Sequence, residues 1–261
     1  MLNKLIESFG KRILILLESF GRIILFFLTG LKNIFIPPFQ FAKIIDHTWF
    51  IGSKSIFVIV LTGFFTGMVL GLQGYYSLVK VGSEAALGAA VALTLISELG
   101  PVFTAIMITA RAGSSMAAEI GVMRISEQID ALKTMHINPV RFLFSPRIIA
   151  AVISFPLLTA LFDVVGIFGG FISGSIMLGI NQHIYMDTVI QSIKVHDING
   201  GFYKAFAFAV VTTTICCYRG YYTHLYSGFG ARGVSLSTTN AVVQSCICVF
   251  VFDYIITFFL V

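Results

Sequence analysis

The sequence predicts an all-α membrane protein: an N-terminal interfacial amphipathic helix, then five transmembrane helices, with a cytoplasmic helix in the connection between the second and third spans. Three observations predict it. Of 261 residues, 57% are hydrophobic and only 11% charged, with a mean hydropathy of +0.94. A soluble domain carries about 25% charged residues, and a chain this short has no interior large enough to hide such an apolar excess from water. Five stretches reach the roughly 20 residues of helix that cross the hydrocarbon. Lysine and arginine gather in alternate connections. Soluble, disordered and disulfide-scaffold classes are thereby excluded.

The first element is the N-terminal helix. Lys4, Ser8, Lys11, Glu18 and Arg22 recur at helical spacing, with Leu, Ile and Phe on the other faces, the pattern of a helix lying in a membrane interface. Glu18 and Arg22 interrupt any signal-peptide core, and no A-x-A cleavage site follows. Pro37-Pro38 ends the segment, so residues 1–36 stand apart from one membrane domain at 37–261. The spans then read about 55–79, without a charge; 85–110, interrupted by Glu98 and Pro101; 148–179, containing Asp163; 200–218, with Lys204 in its first turn; and 234–261, with Asp253 near its end. A polar connection fills 111–147.

Charge orients these spans. With the N-terminus in the cytoplasm, the inner segments hold 14 of the lysines and arginines, while Lys80, Lys194 and Lys204, 3 in all, fall outside. That asymmetry predicts a cytoplasmic N-terminus and a far-side C-terminus. Because the basic residues are spread out, the net charge of +5 marks topology rather than a nucleic-acid surface.

Gly63, Gly67 and Gly71 line one face of the first span, and Gly166, Gly170 and Gly174 one face of the third. Small residues at this period let helix backbones approach closely, within the chain or between two copies. Ionisable groups inside a bilayer are costly and therefore functional candidates. Glu98 leads, followed by Gly100-Pro101, where the missing N–H bends the helix beside a buried carboxylate. Asp163 and Asp253 are weaker candidates for function against simple packing. Lys204 lies near the outer boundary, where its ammonium would snorkel to water or meet a lipid phosphate.

No soluble-enzyme signature is present: HExxH, GxSxG and the P-loop G-x-x-x-x-G-K-[ST] are all missing. His47, His136, His183, His196 and His224 share no ligand spacing, so neither metal nor cofactor is expected. Cys216, Cys217, Cys246 and Cys248 sit in apolar stretches as packing residues. Energy from a nucleotide would have to come from another subunit. The polar connection contains a candidate docking helix. Ser126 reads as its N-cap, Glu127 falls in its first turn, and Ile129, Leu132 and Met135 share a face. Asn138-Pro139 would stop it and Ser145-Pro146 start the next helix.

The segment from Gly63 to Gly74, the Glu98-Leu99-Gly100-Pro101 motif and AAEIGVMRISEQIDAL at 117–132 together resemble the MlaE-type permeases, the membrane subunits of MCE-associated ABC lipid transporters. The resemblance covers essentially the whole chain. It implies a single permease domain that pairs as a homodimer in the inner membrane. It further implies binding of a cytoplasmic ABC ATPase through the helix at about Ser126 to Lys133; the residue pattern adds that Ile129 and Leu132 would be buried there, with Arg124, Glu127 and Asp130 setting register. It also implies a periplasmic MCE-domain protein above the permease and movement of phospholipid or related lipid between inner and outer membranes; Glu98, Pro101 and Lys204 are the candidate residues of that path. Family members often carry Arg before the ELGP motif; Ser97 stands here, which shifts headgroup contact toward Lys204. The rival expectations are a secondary transporter or ion channel using Glu98, Asp163 and Asp253, and a membrane scaffold anchoring peripheral proteins.

Overall fold

The computed structural model describes residues 18–19, 21–34, 40–226, 228 and 230–260. Of the expected interfacial segment at 1–36, residues 1–17, 20, 35 and 36 lie outside them, as does the Pro37-Pro38 break. The protein is 91% helical with no strand among the described residues, and five helices are long and apolar enough to cross a membrane.

Helix α1 covers residues 21–34. Phe26 turns inward, edge-on to Phe144 at 5.2 Å and to Tyr218 at 5.9 Å. Ile24, Leu25 and Leu28 face outward, each more than half exposed, the face that a lipid interface covers. α2, Phe41–Val79, is broken by a tight turn at Ser53–Ser55. Arg111 clamps the break: its Nη1 donates to the Phe50 carbonyl at 2.8 Å and to the Ser55 hydroxyl at 2.7 Å. α3, Glu84–Ile125, is one long helix with wide π turns at Leu95–Leu99 and Thr109–Gly113. The first part of the expected polar connection is therefore helix, and the true connection is only 126–138. It holds α4, Gln128–Thr134.

α5, Pro139–Met177, starts earlier than the Ser145-Pro146 expectation. Asn138 is the reason: its Oδ1 accepts from Val140 N at 3.0 Å and Arg141 N at 3.3 Å, with Pro139 preset for the first turn. Pro146 and Pro156 lie inside the helix, as packed membrane helices tolerate. α6, Gln182–Ser192, was not foreseen; Asn181 Oδ1 accepts from His183 N at 2.9 Å and Tyr185 is fully buried. α7, Val195–Tyr221, and α8, Gly230–Leu260, complete the bundle.

The two glycine stripes meet each other inside the chain. A Cβ on Gly67 would overlap the Gly166 carbonyl, one on Gly63 would stand 3.0 Å from the Phe162 carbonyl oxygen, and one on Gly71 would strike Ser173. Gly170 in turn lies against Val91 and the Tyr185 hydroxyl, and Gly174 against Leu87. Backbone contact this close builds α2 onto α5 without side chains between them. The four cysteines are free, with Cys216 and Cys217 fully buried as packing groups.

The connection at 126–138 and residues 222–226 mark one end of the bundle, here the basic end. Residues 80–83 and 178–194 mark the opposite end.

Candidate functional site

The site within the spans begins with a missing hydrogen. Pro101 has no N–H and so interrupts the ladder beside the π turn at Leu95–Leu99, where Gly100 N–H donates five residues back to Leu95 O. Lys204 of α7 reaches this interruption: its Nζ donates to Ser97 O at 2.8 Å. The same ammonium meets Glu98 Oε2 at 2.5 Å and Asp253 Oδ1 of α8 at 3.1 Å. Thr257, one turn beyond Asp253, donates to the Asp253 carbonyl at 2.8 Å and approaches Glu98 Oε1 at 3.3 Å. Gly201 permits the approach of α7, since a Cβ there would stand 2.5 Å from the Ile96 carbonyl oxygen. Three spans thus converge on one cation and two carboxylates.

Lys204 does not snorkel. Its side chain is 2% exposed, against 19% for Asp253 and 41% for Glu98. α7 begins at Val195, because Asp197 Oδ2 accepts from the Lys194 backbone N–H at 3.0 Å and extends the helix beyond the apolar run. At about 1.5 Å per residue, Lys204 stands roughly 13 Å along the helix rather than at its mouth. A buried ammonium persists only with partners, and two carboxylates and a carbonyl supply them. Glu98 is the accessible member, opening on a cleft of about 110 Å³ lined also by His196, Gly200 and Thr257.

Of the other sequence candidates, Asp253 joins the cluster and Asp163 does not. Asp163 lies in a separate apolar pocket of about 230 Å³ with Ile96, Thr159 and Phe202, its Oδ1 against Gly100 and without a hydrogen-bond partner among the described residues. Thr257 and the Ser97 carbonyl were missed. An interruption of the helix ladder was legible from Pro101; the threonine, placed one turn after an intramembrane acid, gave only a weak signal.

At the basic end, Ser126 is not the N-cap of α4. Its hydroxyl donates back to Val122 O at 2.9 Å, and Glu127, at φ 59°, takes the cap position. Ile129 is fully buried in the chain's own core with Ile120, Leu143 and Phe144, so it offers nothing to a partner. Leu132 is half-buried, while Met135, at 67%, and Val122, at 53%, are exposed. Asp130 pairs with Arg124 Nη1 and with Lys133 Nζ, each at 2.9 Å. The hydrogen bonds from Lys133 and then Arg124 hold its carboxyl below the usual range. Arg124 Nε also donates to His224 Nδ1 at 3.0 Å, tying the two turns together. Burial, then the Arg124 charge, lowers His224 from its usual value and keeps the ring neutral. Among the described residues, no group of three or more His, Cys, Asp or Glu could hold a metal.

Comparison with known proteins agrees with this architecture. The profile of the family described as permease MlaE matches residues 44–259. A probable ABC transporter permease protein of Rickettsia bellii is 40% identical over 98% of each chain. The intermembrane phospholipid transport system permease protein MlaE of Haemophilus influenzae is 40% identical over 84% of this chain and 82% of its own. The chloroplastic trigalactosyldiacylglycerol 1 protein of Arabidopsis thaliana is 35% identical over 80% of this chain and 58% of its own.

Proposed function

The chain belongs to the MlaE permease family, and from that premise we propose that it is the membrane subunit of an ABC transporter that moves phospholipid between membranes. Members of this family are transport subunits, so ATP hydrolysis belongs to a separate protein. The observation that carries the substrate reading is the Lys204 cluster, a charged site held inside an apolar bundle and opening through Glu98. An amphiphile with a charged headgroup fits such a site, because its head meets charge while its chains stay in apolar surroundings. Glu98 offers an acceptor to the headgroup, and Lys204, already held by three oxygens, keeps that carboxylate in place.

The basic end takes the ATPase. Its exposed side chains around α4, Glu127, Gln128, Met135 and the rim of Leu132, form the docking surface, while Ile129 anchors α4 to the bundle. α3 links the two regions in one helix: it leaves α4 at Ile125 and carries Glu98 beyond the π turn at Thr109–Gly113. π turns and a proline are the places where a helix yields. A push on α4 therefore bends α3 between Arg111 and Pro101 and alters the cleft at Glu98. The charge asymmetry supports a cytoplasmic basic end and a periplasmic C-terminus, and the family's transport role supports a place in the inner membrane. There the opposite end meets an MCE-domain protein, and two copies pair to enclose the lipid path. The channel reading needs a path through all three acids, and Asp163 lies apart from Glu98 and Asp253.

The test is purification in mild detergent with mass spectrometry of bound lipids and co-purifying subunits. A P-loop ATPase and phospholipid are the expected companions. A chain that transports ions across vesicles with neither companion would contradict the reading.

A further inference from the structure

A second charged pocket lies at the other end of α3, about 230 Å³ in volume, between the start of α2, the end of α3 and the start of α5. Lys43, Asp46 and His47 come from α2, Glu119 from α3, and Phe142 and Arg147 from α5. Glu119 is 21 residues beyond Glu98 in the sequence, roughly 30 Å along a helix, so this pocket is not part of the Lys204 cluster.

Its charges are unevenly used. Arg147 is 2% exposed, and its guanidinium donates to Leu143 O at 2.6 Å and pairs with Glu119 Oε2 at 2.9 Å. Its Nε has no hydrogen-bond partner among the described residues. That pair neutralises itself and leaves Lys43 and Asp46, neither with an ion pair among the described residues. Lys43 Nζ lies over the Phe142 ring, 2.8 Å from its centroid, which supplies only a weak substitute for an anion. Asp46 presents an exposed carboxylate one helical turn away on the same face.

We propose that this pocket binds a zwitterionic phosphodiester bearing a primary ammonium, the chemistry of an ethanolamine phospholipid headgroup. A bare phosphate would meet Lys43 but be repelled by Asp46. A bare cation would meet Asp46 but be repelled by Lys43. A molecule carrying both charges satisfies both side chains at once, its phosphate toward Lys43 and its ammonium, with three donors, toward Asp46. A quaternary ammonium has no donors to give. The pocket opens where α2 and α5, two of the spans, begin, which is headgroup depth for the leaflet at the basic end.

The experiment titrates delipidated full-length protein with phosphatidylethanolamine, phosphatidylcholine and phosphatidylglycerol, and reads bound lipid by native mass spectrometry. The wild type is expected to prefer phosphatidylethanolamine. Lys43→Ala should weaken both phosphatidylethanolamine and phosphatidylglycerol. Asp46→Asn should weaken phosphatidylethanolamine about fivefold, about 1 kcal/mol, and leave phosphatidylglycerol unchanged or tighter. Asp46 is exposed and Lys43 half-buried in the first turn of α2, so the fold is expected to survive, and thermal unfolding checks it. The preference should persist in Glu98→Gln; its loss there would assign it to the other site and overturn the proposal. So would equal phosphatidylethanolamine binding by wild type, Lys43→Ala and Asp46→Asn, or an Asp46→Asn effect identical for all three lipids. Displacement by glycerophosphoethanolamine would support a soluble source of the same headgroup, and resistance to it would support the bilayer lipid.

Discussion

Two ion clusters in this protein are mirror images in unlike solvents. Inside the spans, one cation, Lys204, stands between two carboxylates, Glu98 and Asp253. At the basic end, one carboxylate, Asp130, stands between two cations, Arg124 and Lys133. Lys204 is 2% exposed and Asp130 50% exposed. Coulomb attraction and desolvation both grow as water leaves, so the first cluster is an all-or-none arrangement and the second a weak, salt-screened tether. Position relative to water, rather than the count of charges, decides what each cluster can do. The buried one fixes three helices and holds Glu98 at its cleft; the exposed one steadies α4 beside Arg124 and His224.

The largest effect should follow from breaking the buried cluster. Lys204→Ala strands two carboxylates and reopens the Ser97 carbonyl, and it should destabilise the protein by about 3–5 kcal/mol. Reversible unfolding in detergent would measure this, and a loss below about 1 kcal/mol would put Lys204 in the exposed class. Gly67→Leu should come next, through packing rather than charge. Its side chain would enter the Gly166 backbone and separate α2 from α5, so the folded yield should collapse in a monomer-level assay such as limited proteolysis.

Ile129→Asp and Met135→Asp sharpen the comparison at the basic end. Burying an aspartate in place of a fully buried isoleucine should cost about 2 kcal/mol or more of stability. The Met135 change should leave thermal unfolding untouched and weaken only ATPase capture in a pull-down. The smallest effect concerns pH. His224 is held neutral, with a pKa lowered in the folded state. Its contribution is therefore complete above the ordinary histidine value of about 6.5 and is lost as pH falls through the folded value. Hydrogen exchange at 223–226 should rise on acidification, and His224→Gln should flatten that dependence.

These contrasts also explain what the sequence could and could not convey. Five spans and the helical fold were legible because lipid demands long apolar helices. Glu98 and Pro101 were legible because a carboxylate and a helix breaker are conspicuous in such a run. Lys204 was placed too near the boundary because hydropathy ignores polar residues that a cap holds in a helix, as Asp197 does at 195–199. Ser126 and Asn138 are both good caps by type; the proline after Asn138 and the left-handed Glu127 decided between them. Periodicity put Ile129 and Leu132 on one face, yet cannot say whether that face meets its own chain or another. Glycine spacing likewise announced close contact without naming the partner, which proved to be the other stripe.

The central claim is that Glu98 serves the lipid while the basic end serves the ATPase, with α3 between them. Glu98→Gln tests it most directly, because the amide keeps the size of the side chain and removes only its charge. Reconstituted with its ATPase in donor vesicles, the variant is measured for phospholipid transfer to acceptor vesicles. The account predicts ATPase capture at wild-type stoichiometry and transfer reduced at least about tenfold, which corresponds to about 1.4 kcal/mol in the transition state. Transfer at the wild-type rate with normal capture would contradict it.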